Sequence, residues 1–196
     1  TRYDESYHST IIEYWPFRQR DLLNKKNFLR SYKTHGKLLE VGCGDGELLY
    51  LLKDEYNISG IDISQHSVDK TNKLIGKKIA KPLDIQTNTL KGKYDVILAF
   101  DVLEHLSNPK TVIKRLVYSL NGDGILIFTV PNNYGIFGSF VTFVFNLLDK
   151  THINTFKREK WIQIVQSLGL HYVVLNQILF NFTQSDWTKH IGFNLA

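Results

Sequence analysis

From residue 38 onward, the apolar positions of this chain fall into short runs that alternate with stretches of helical period. Residues 38–42 form a compact apolar run, and residues 47–54 repeat their apolar positions at helical spacing. Residues 58–62 are strand-like again, and Ser64 is placed to cap a helix running to about Gly76. A weaker strand is predicted over 79–84, interrupted by Pro82, which suits a short or edge position. Residues 94–100 read as a strand, after which Asn108-Pro109 opens a helix to about Leu120 with proline at a tolerated early position. The cluster Asn121-Gly122-Asp123-Gly124 predicts a turn ahead of a buried strand over 125–130. Further on, 134–148 reads as an apolar helix, 156–168 as an amphipathic one, and 171–179 with 190–195 as a closing antiparallel hairpin. Strand and helix alternating at this rhythm predict an α/β chain with an open, mostly parallel seven-stranded sheet covered on both faces.

The first 37 residues break that rhythm. They hold no strand pattern, are rich in aromatics (Tyr3, Tyr7, Tyr14, Trp15, Phe17), and carry eight Lys/Arg against four Asp/Glu. Pro16 is expected to separate two helical pieces. The organisation expected is therefore a helical cap segment over 1–37 and one domain over 38–196. A length of 196 residues suits one such domain, which at this size buries roughly 70% of the unfolded surface.

Composition narrows the function classes. Lys and Arg exceed Asp and Glu by 24 to 19, a formal charge of +5 that permits an anionic ligand without demanding one. A single cysteine excludes a disulfide framework and a thiol-only zinc site, and fits a reducing, cytoplasmic setting. No basic stretch precedes an apolar core at the start, so no signal peptide is expected. Residues 124–148 carry no charge, but Pro131-Asn132-Asn133 splits them below the length of about 20 residues that a membrane span needs. A contact of 134–148 with a membrane surface, peripheral rather than spanning, is the expectation kept. Seven lysines lie between Lys70 and Lys93 with Asp84 as the only acid. Lacking arginine and interleaved aromatics, that run reads as a solvated face rather than a nucleic-acid footprint.

The sharpest local signal is Leu38-Leu39-Glu40-Val41-Gly42-Cys43-Gly44-Asp45-Gly46, set between a predicted strand and a predicted helix. Glycines on alternate residues let the backbone turn tightly and leave room for a ligand against it, at the strand end where open α/β sheets bind ligands. Asp62 ends the next strand, 20 residues beyond Gly42, where a carboxylate accepts hydrogen bonds from both hydroxyls of a ribose. The spacing is G-x-G-x-G rather than G-x-G-x-x-G, which suits an amino-acid or nucleoside moiety and disfavours a nicotinamide dinucleotide. Cys43 reads as a small residue where space is short, with no adjacent base to make it a nucleophile.

With these residues in place the chain resembles the class I S-adenosylmethionine-dependent methyltransferases, over about residues 36–179. Residues 38–46 look like that family's first motif, Ile61-Asp62-Ile63 like the acidic end of its second strand, and 94–106 like its fourth-strand motif. Residues 120–132 are similar to its L-x-x-G-G-x-L-x-x-x-x-P-N pattern, with Asp123 at one usual glycine. The resemblance implies a Rossmann-like, doubly wound fold. It also implies that Glu40, Gly42, Gly44 and Gly46 line the methionine part of S-adenosylmethionine, Asp62 and Ile63 hold ribose and adenine, Asp84 and Ile85 lie at the adenine amino group, and Phe100 belongs to the cofactor-binding set. The product would be S-adenosylhomocysteine, the acceptor a small molecule offering a hydroxyl on a partly hydrophobic frame, with 134–148 over its pocket.

Phe100-Asp101-Val102-Leu103-Glu104-His105-Leu106 adds a polar cluster after the fourth strand, whose spacing lets Asp101, Glu104 and His105 share one face of a helical turn. His105 and His152 are the candidate bases for deprotonating a hydroxyl. Ubiquinone-pathway O-methyltransferases and small-RNA 2′-O-methyltransferases resemble this layout, with a Glu-x-x-Glu-His cluster and a later His near a divalent metal. By that likeness Asp101, Glu104, His105 and His152 form a candidate metal set. Here Asp replaces the first Glu, and many relatives with a Val-Leu-Glu-His segment use no metal, so the ion is the weaker expectation. The competing readings are an RNA 2′-O-methyltransferase with that metal and a cofactor-binding module without turnover.

Overall fold

The computed structural model describes residues 15–131, 153–154, 156–174 and 188–194. The chain divides into two compact units, Thr1–Asp84 with Phe180–Asp186, and Ile85–Leu179 with Trp187–Ala196.

In the first unit, α1 (Trp15–Arg30) precedes β1 (Gly36–Val41), α2 (Glu47–Leu52), β2 (Tyr56–Asp62), α3 (Gln65–Ile75) and β3 (Ala80–Pro82). Pro16 lies in the first turn of α1, where its missing N–H breaks no helical bond, so the helix runs on through it. The piece expected before it lies outside the described residues. β1 and β2 pair in parallel from Gly36↔Tyr56 to Val41↔Ile61, and β3 adds in parallel along β2 from Gly60↔Ala80 to Asp62↔Pro82. Four successive β1 residues, Leu38 to Val41, are buried, as in a parallel strand covered on both faces. Leu48, Leu49 and Leu52 of α2 pack into the same core with Leu29 of α1. Ser64 caps α3 by accepting from the Ser67 N–H, and Gly76 closes it in the left-handed region. Asn72 then ties α3 to β3, its side chain accepting from the Ile79 and Ala80 N–H groups and donating to the Ala80 carbonyl. Ion pairs hold α1 to the α2 region: Arg18 to Glu47, and Lys26 and Arg30 to Glu55.

The second unit contains β4 (Tyr94–Ala99), a 3-10 turn (Leu103–His105), α4 (Pro109–Tyr118), β5 (Leu120–Pro131), α5 (Arg158–Gln166), β6 (His171–Val174) and β7 (Thr188–Asn194). Val96, Ile97, Leu98 and Ala99 are fully buried, and β4 runs parallel to β5 from Val96↔Ile125 to Ala99↔Phe128. Asn108 caps α4 through the Thr111 N–H. Trp161 of α5 is 1% exposed and sits against the rings of Phe128 and Phe156, at 6.2 and 5.3 Å.

One expectation is corrected. The turn expected at 121–124 lies within the bounds of β5, where it is taken up as an irregularity: the register jumps from Tyr94↔Leu120 to Val96↔Ile125. Among the described residues, parallel pairing involves the five strands β1 to β5. β7 runs antiparallel to β5 and to β6, because a strand entering from the opposite direction needs no crossover helix to pair. The apolar helix expected over 134–148 lies outside the described residues. No helix among those described is long and apolar enough to cross a membrane.

Candidate functional site

In the first unit, β1 runs into a corner whose backbone is left-handed at Gly42 (φ 73°), Gly44 (φ 52°) and Gly46 (φ 82°). The Gly42 and Cys43 N–H groups both donate to the Ile61 carbonyl, which anchors the corner to the end of β2. Gly46 is packed shut: a Cβ there would stand 2.7 Å from Thr71 Cγ2. Gly44 is the reverse, since a Cβ on it would meet nothing within 4 Å. One edge of the corner is thus sealed against α3 and the other left open, with the Gly44 carbonyl fixed by the Thr71 hydroxyl at 2.8 Å.

Asp62 stands beside the open edge. Its Oδ2 accepts from the Gly44 N–H at 3.0 Å and its Oδ1 from the Ser64 N–H at 2.8 Å, so both oxygens are already aimed by backbone groups. A carboxylate has about four lone-pair sites, and each oxygen therefore retains capacity for a further donor. Ile63 beside it is 61% exposed, Asp84 is half-buried and Ile85 buried.

Glu40, the last acid of β1, is buried, and its Oε2 has no hydrogen-bond partner. Burial pushes its carboxyl up to about 8, opposed by the buried Lys25 and reinforced by the charges of Asp62 and Glu47. An orphaned acid of this kind is completed by a cationic or hydrogen-bond-donating ligand. Burial also raises the Cys43 thiol far above its ordinary range, with Glu40 and Asp62 adding to the effect, so the thiolate is suppressed. Its Sγ fills the space a Gly60 Cβ would need, at 2.8 Å, which agrees with a packing role.

In the second unit, Phe100 is buried at the end of β4 and Asp101 follows with φ 56°, the only non-glycine residue in the left-handed region among those described. Its N–H donates to Thr129 Oγ1 at 3.0 Å, and the Thr129 hydroxyl donates back to Asp101 Oδ1 at 2.8 Å. Asp101 is exposed and Glu104 is 1% exposed, so the spacing does not bring these two carboxylates onto one face. His105 is half-buried in the 3-10 turn. The Glu104 carbonyl accepts from the Ile153 and Asn154 N–H groups, and the Asn154 side chain donates to the Leu106 carbonyl, which binds the turn to the segment before α5. Among the described residues no three His, Cys, Asp or Glu side chains converge as a metal ion requires. His152 lies outside them.

Thr71, Thr129 and Asn154 escaped the sequence reading. Each acts through a partner between 27 and 51 residues away, and a lone Thr or Asn in an ordinary helix, strand or loop carries no pattern that announces such a contact.

A family model described as a methyltransferase domain matches residues 14–175. Malonyl-[acyl-carrier protein] O-methyltransferase of Bacillus anthracis is 31% identical over 156 residues, 76% of this chain and 54% of that protein. Ubiquinone biosynthesis O-methyltransferase of Actinobacillus pleuropneumoniae is 30% identical over 108 residues, 49% of this chain and 46% of that protein. The chain thus spans about half the length of these two relatives. Among solved structures, a SAM-dependent methyltransferase from Thermotoga maritima superposes with a TM-score of 0.78 at 15% identity, covering 98% of each chain. Magnesium protoporphyrin IX methyltransferase from Synechocystis, with S-adenosylhomocysteine bound, gives 0.72 at 17% identity, covering 92% of this chain and 84% of that one. These likenesses show a Rossmann-like α/β fold.

Proposed function

The chain belongs to the methyltransferase-domain family, and on that premise we propose that it transfers the methyl group of S-adenosylmethionine to an oxygen of a partly hydrophobic small molecule. The observation that carries this reading is the open edge at Gly44 set beside Asp62. An open glycine edge next to a carboxylate with unused lone pairs fits a nucleoside and its ribose. The orphaned Glu40 fits the same ligand, whose amino-acid end is a cation-bearing hydrogen-bond donor.

In this reading Glu40, Gly42, Gly44 and Gly46 take the methionine portion. Asp62 accepts from the ribose hydroxyls, Ile63, Asp84 and Ile85 serve the adenine, and Phe100 is a further cofactor-binding residue. When bound, the cofactor supplies a methyl group already activated as a sulfonium: the S–CH₃ bond breaks, an O–CH₃ bond forms and a neutral thioether leaves. The chain is then asked mainly for proximity and orientation. A hydroxyl acceptor must also lose its proton, and His105, with His152, is assigned to take it.

Calorimetric titration tests the reading. S-adenosylmethionine and S-adenosylhomocysteine should bind and NAD should not. Asp62→Ala should weaken both by at least tenfold, the size of one lost charge-assisted hydrogen bond. Unchanged affinity in that variant would remove Asp62 from the site.

A further inference from the structure

Within the first unit, α3 reaches Asp62 by two routes. Ser64, its N-cap, donates its backbone N–H to Asp62 Oδ1 at 2.8 Å. Seven residues on, a spacing that returns to the same helix face, Thr71 is fully buried and donates its hydroxyl to the Gly44 carbonyl at 2.8 Å. Gly44 in turn gives its N–H to Asp62 Oδ2 at 3.0 Å. A Cβ on Gly44 would meet nothing within 4 Å, so no packing holds this glycine, whose backbone is free to leave φ 52° at little steric cost. It is held by its two polar ends instead, the N–H on Asp62 and the carbonyl on Thr71. The Thr71 side chain thus has two parts: Cγ2 lies against the sealed Gly46 side of the corner, and Oγ1 holds the open Gly44 side and stands 3.8 Å from Cys43 Sγ.

We propose that Thr71 is a positioning residue for the cofactor: its hydroxyl fixes the Gly44 peptide and, through the Gly44 N–H, aims Asp62 Oδ2 at the ribose. The inference rests on the S-adenosylmethionine reading above and deepens it by adding a residue that lies outside both the glycine corner and the end of β2. Without the hydroxyl, the Gly44 carbonyl loses its partner and the glycine is free to rotate. Asp62 then loses one of the two backbone bonds that orient it, and a ligand must order both groups as it binds. In the wild type that ordering is complete before the ligand arrives, which is the source of the affinity. Hydroxyl and methyl therefore act on different quantities. The hydroxyl sets how tightly the cofactor is held, and the methyl, packed on the sealed side, contributes to stability.

The test uses the full chain with S-adenosylhomocysteine as the probe, reading dissociation constants by calorimetry and melting temperatures by circular dichroism. The hydroxyl is removed in two settings. Thr71→Val keeps the branched shape, and Thr71→Ala differs from Thr71→Ser by the hydroxyl alone. Thr71→Val and Thr71→Ala should each weaken binding by about fivefold, the size of one lost neutral hydrogen bond. Thr71→Ser should bring affinity back to within about twofold of the wild type while melting lower than it, because only the methyl is missing. In an Asp62→Ala background, Thr71→Val should change affinity by less than about twofold, since the route through Gly44 then ends on no carboxylate. Affinity that follows the methyl, weak in Thr71→Ser and normal in Thr71→Val, overturns the proposal, as does equal affinity in all three variants. A full loss that persists in the Asp62→Ala background overturns the route through Asp62. If Thr71→Val does not fold, the Ala and Ser variants decide between the same outcomes, with Thr71→Ala taking its place in the Asp62→Ala background. Failure of the wild type to bind S-adenosylhomocysteine is a separate result, which strikes the cofactor reading itself.

Discussion

The corner after β1 and the corner after β4 both leave a parallel strand through left-handed backbone, and they are built from opposite materials. The first sets three glycines at φ 52–82° around Cys43 and Asp45, so that its left-handed positions carry no Cβ. The second forces a single aspartate to φ 56° and ties it to a buried threonine on the neighbouring strand. The open side at Gly44 offers room, with Asp62 and the unpartnered Oε2 of Glu40 as its flanking polar groups. A turn that carries a clasped carboxylate is held instead by its own side chain and the neighbouring strand. The first arrangement suits leaving space for a ligand; the second suits fixing the path of the backbone.

Substitutions that give the first corner the side chains it excludes should break this contrast. Gly46→Ala should have the largest effect, because its Cβ would collide with Thr71 and its φ of 82° is unfavourable for alanine. A loss on the order of 2–4 kcal/mol is expected from overpacking and backbone strain together, measured by denaturant unfolding.

Glu40→Gln comes next and is read through pH. In the folded, ligand-free chain the Glu40 carboxyl keeps its proton up to about pH 8, whereas the unfolded carboxyl releases it near 4.5. The folded state therefore binds more protons between those values. Stability contributed by the protonated acid is fully present below pH 4.5 and is lost as pH rises through 8. Glu40→Gln cannot titrate, so it should flatten that decline, and at pH 9 its unfolding free energy should exceed that of the wild type by on the order of 2 kcal/mol. The same variant should bind S-adenosylmethionine more weakly. A stability difference between wild type and Glu40→Gln that does not change from pH 5 to 8 would show that Glu40 is not held neutral.

Gly44→Ala should cost least in stability, about 1 kcal/mol, since only its φ opposes the change and no atom stands in the way. Its cofactor affinity should fall by more than its stability does, because the new methyl enters the space assigned to the ligand. Equal small losses in both measurements would mean that the open edge faces solvent alone.

Much of this was legible in the sequence because it is local. The caps at Ser64 and Asn108, the helix ending at Gly76, the edge strand cut short by Pro82 and the glycine corner each depend on φ/ψ demands and side-chain reach within a few residues. The cluster at 101–105 was read less well. Helical spacing suggested one shared face for Asp101, Glu104 and His105, but the chain there turns through a left-handed residue and a 3-10 turn, leaving Asp101 exposed and Glu104 buried.

The order of elements, the Gly42–Gly44–Gly46 corner and the distance to Asp62 were determined by the sequence itself, through periodicities and backbone preferences that act between near neighbours. Tertiary structure alone decided which glycine is sealed and which is open. It also decided that Glu40 lacks a partner, that Thr129 clasps Asp101, and that β7 rather than β6 lies against β5. Each of these depends on which distant segments meet, and therefore on burial and hydrogen bonding, which local patterns do not encode.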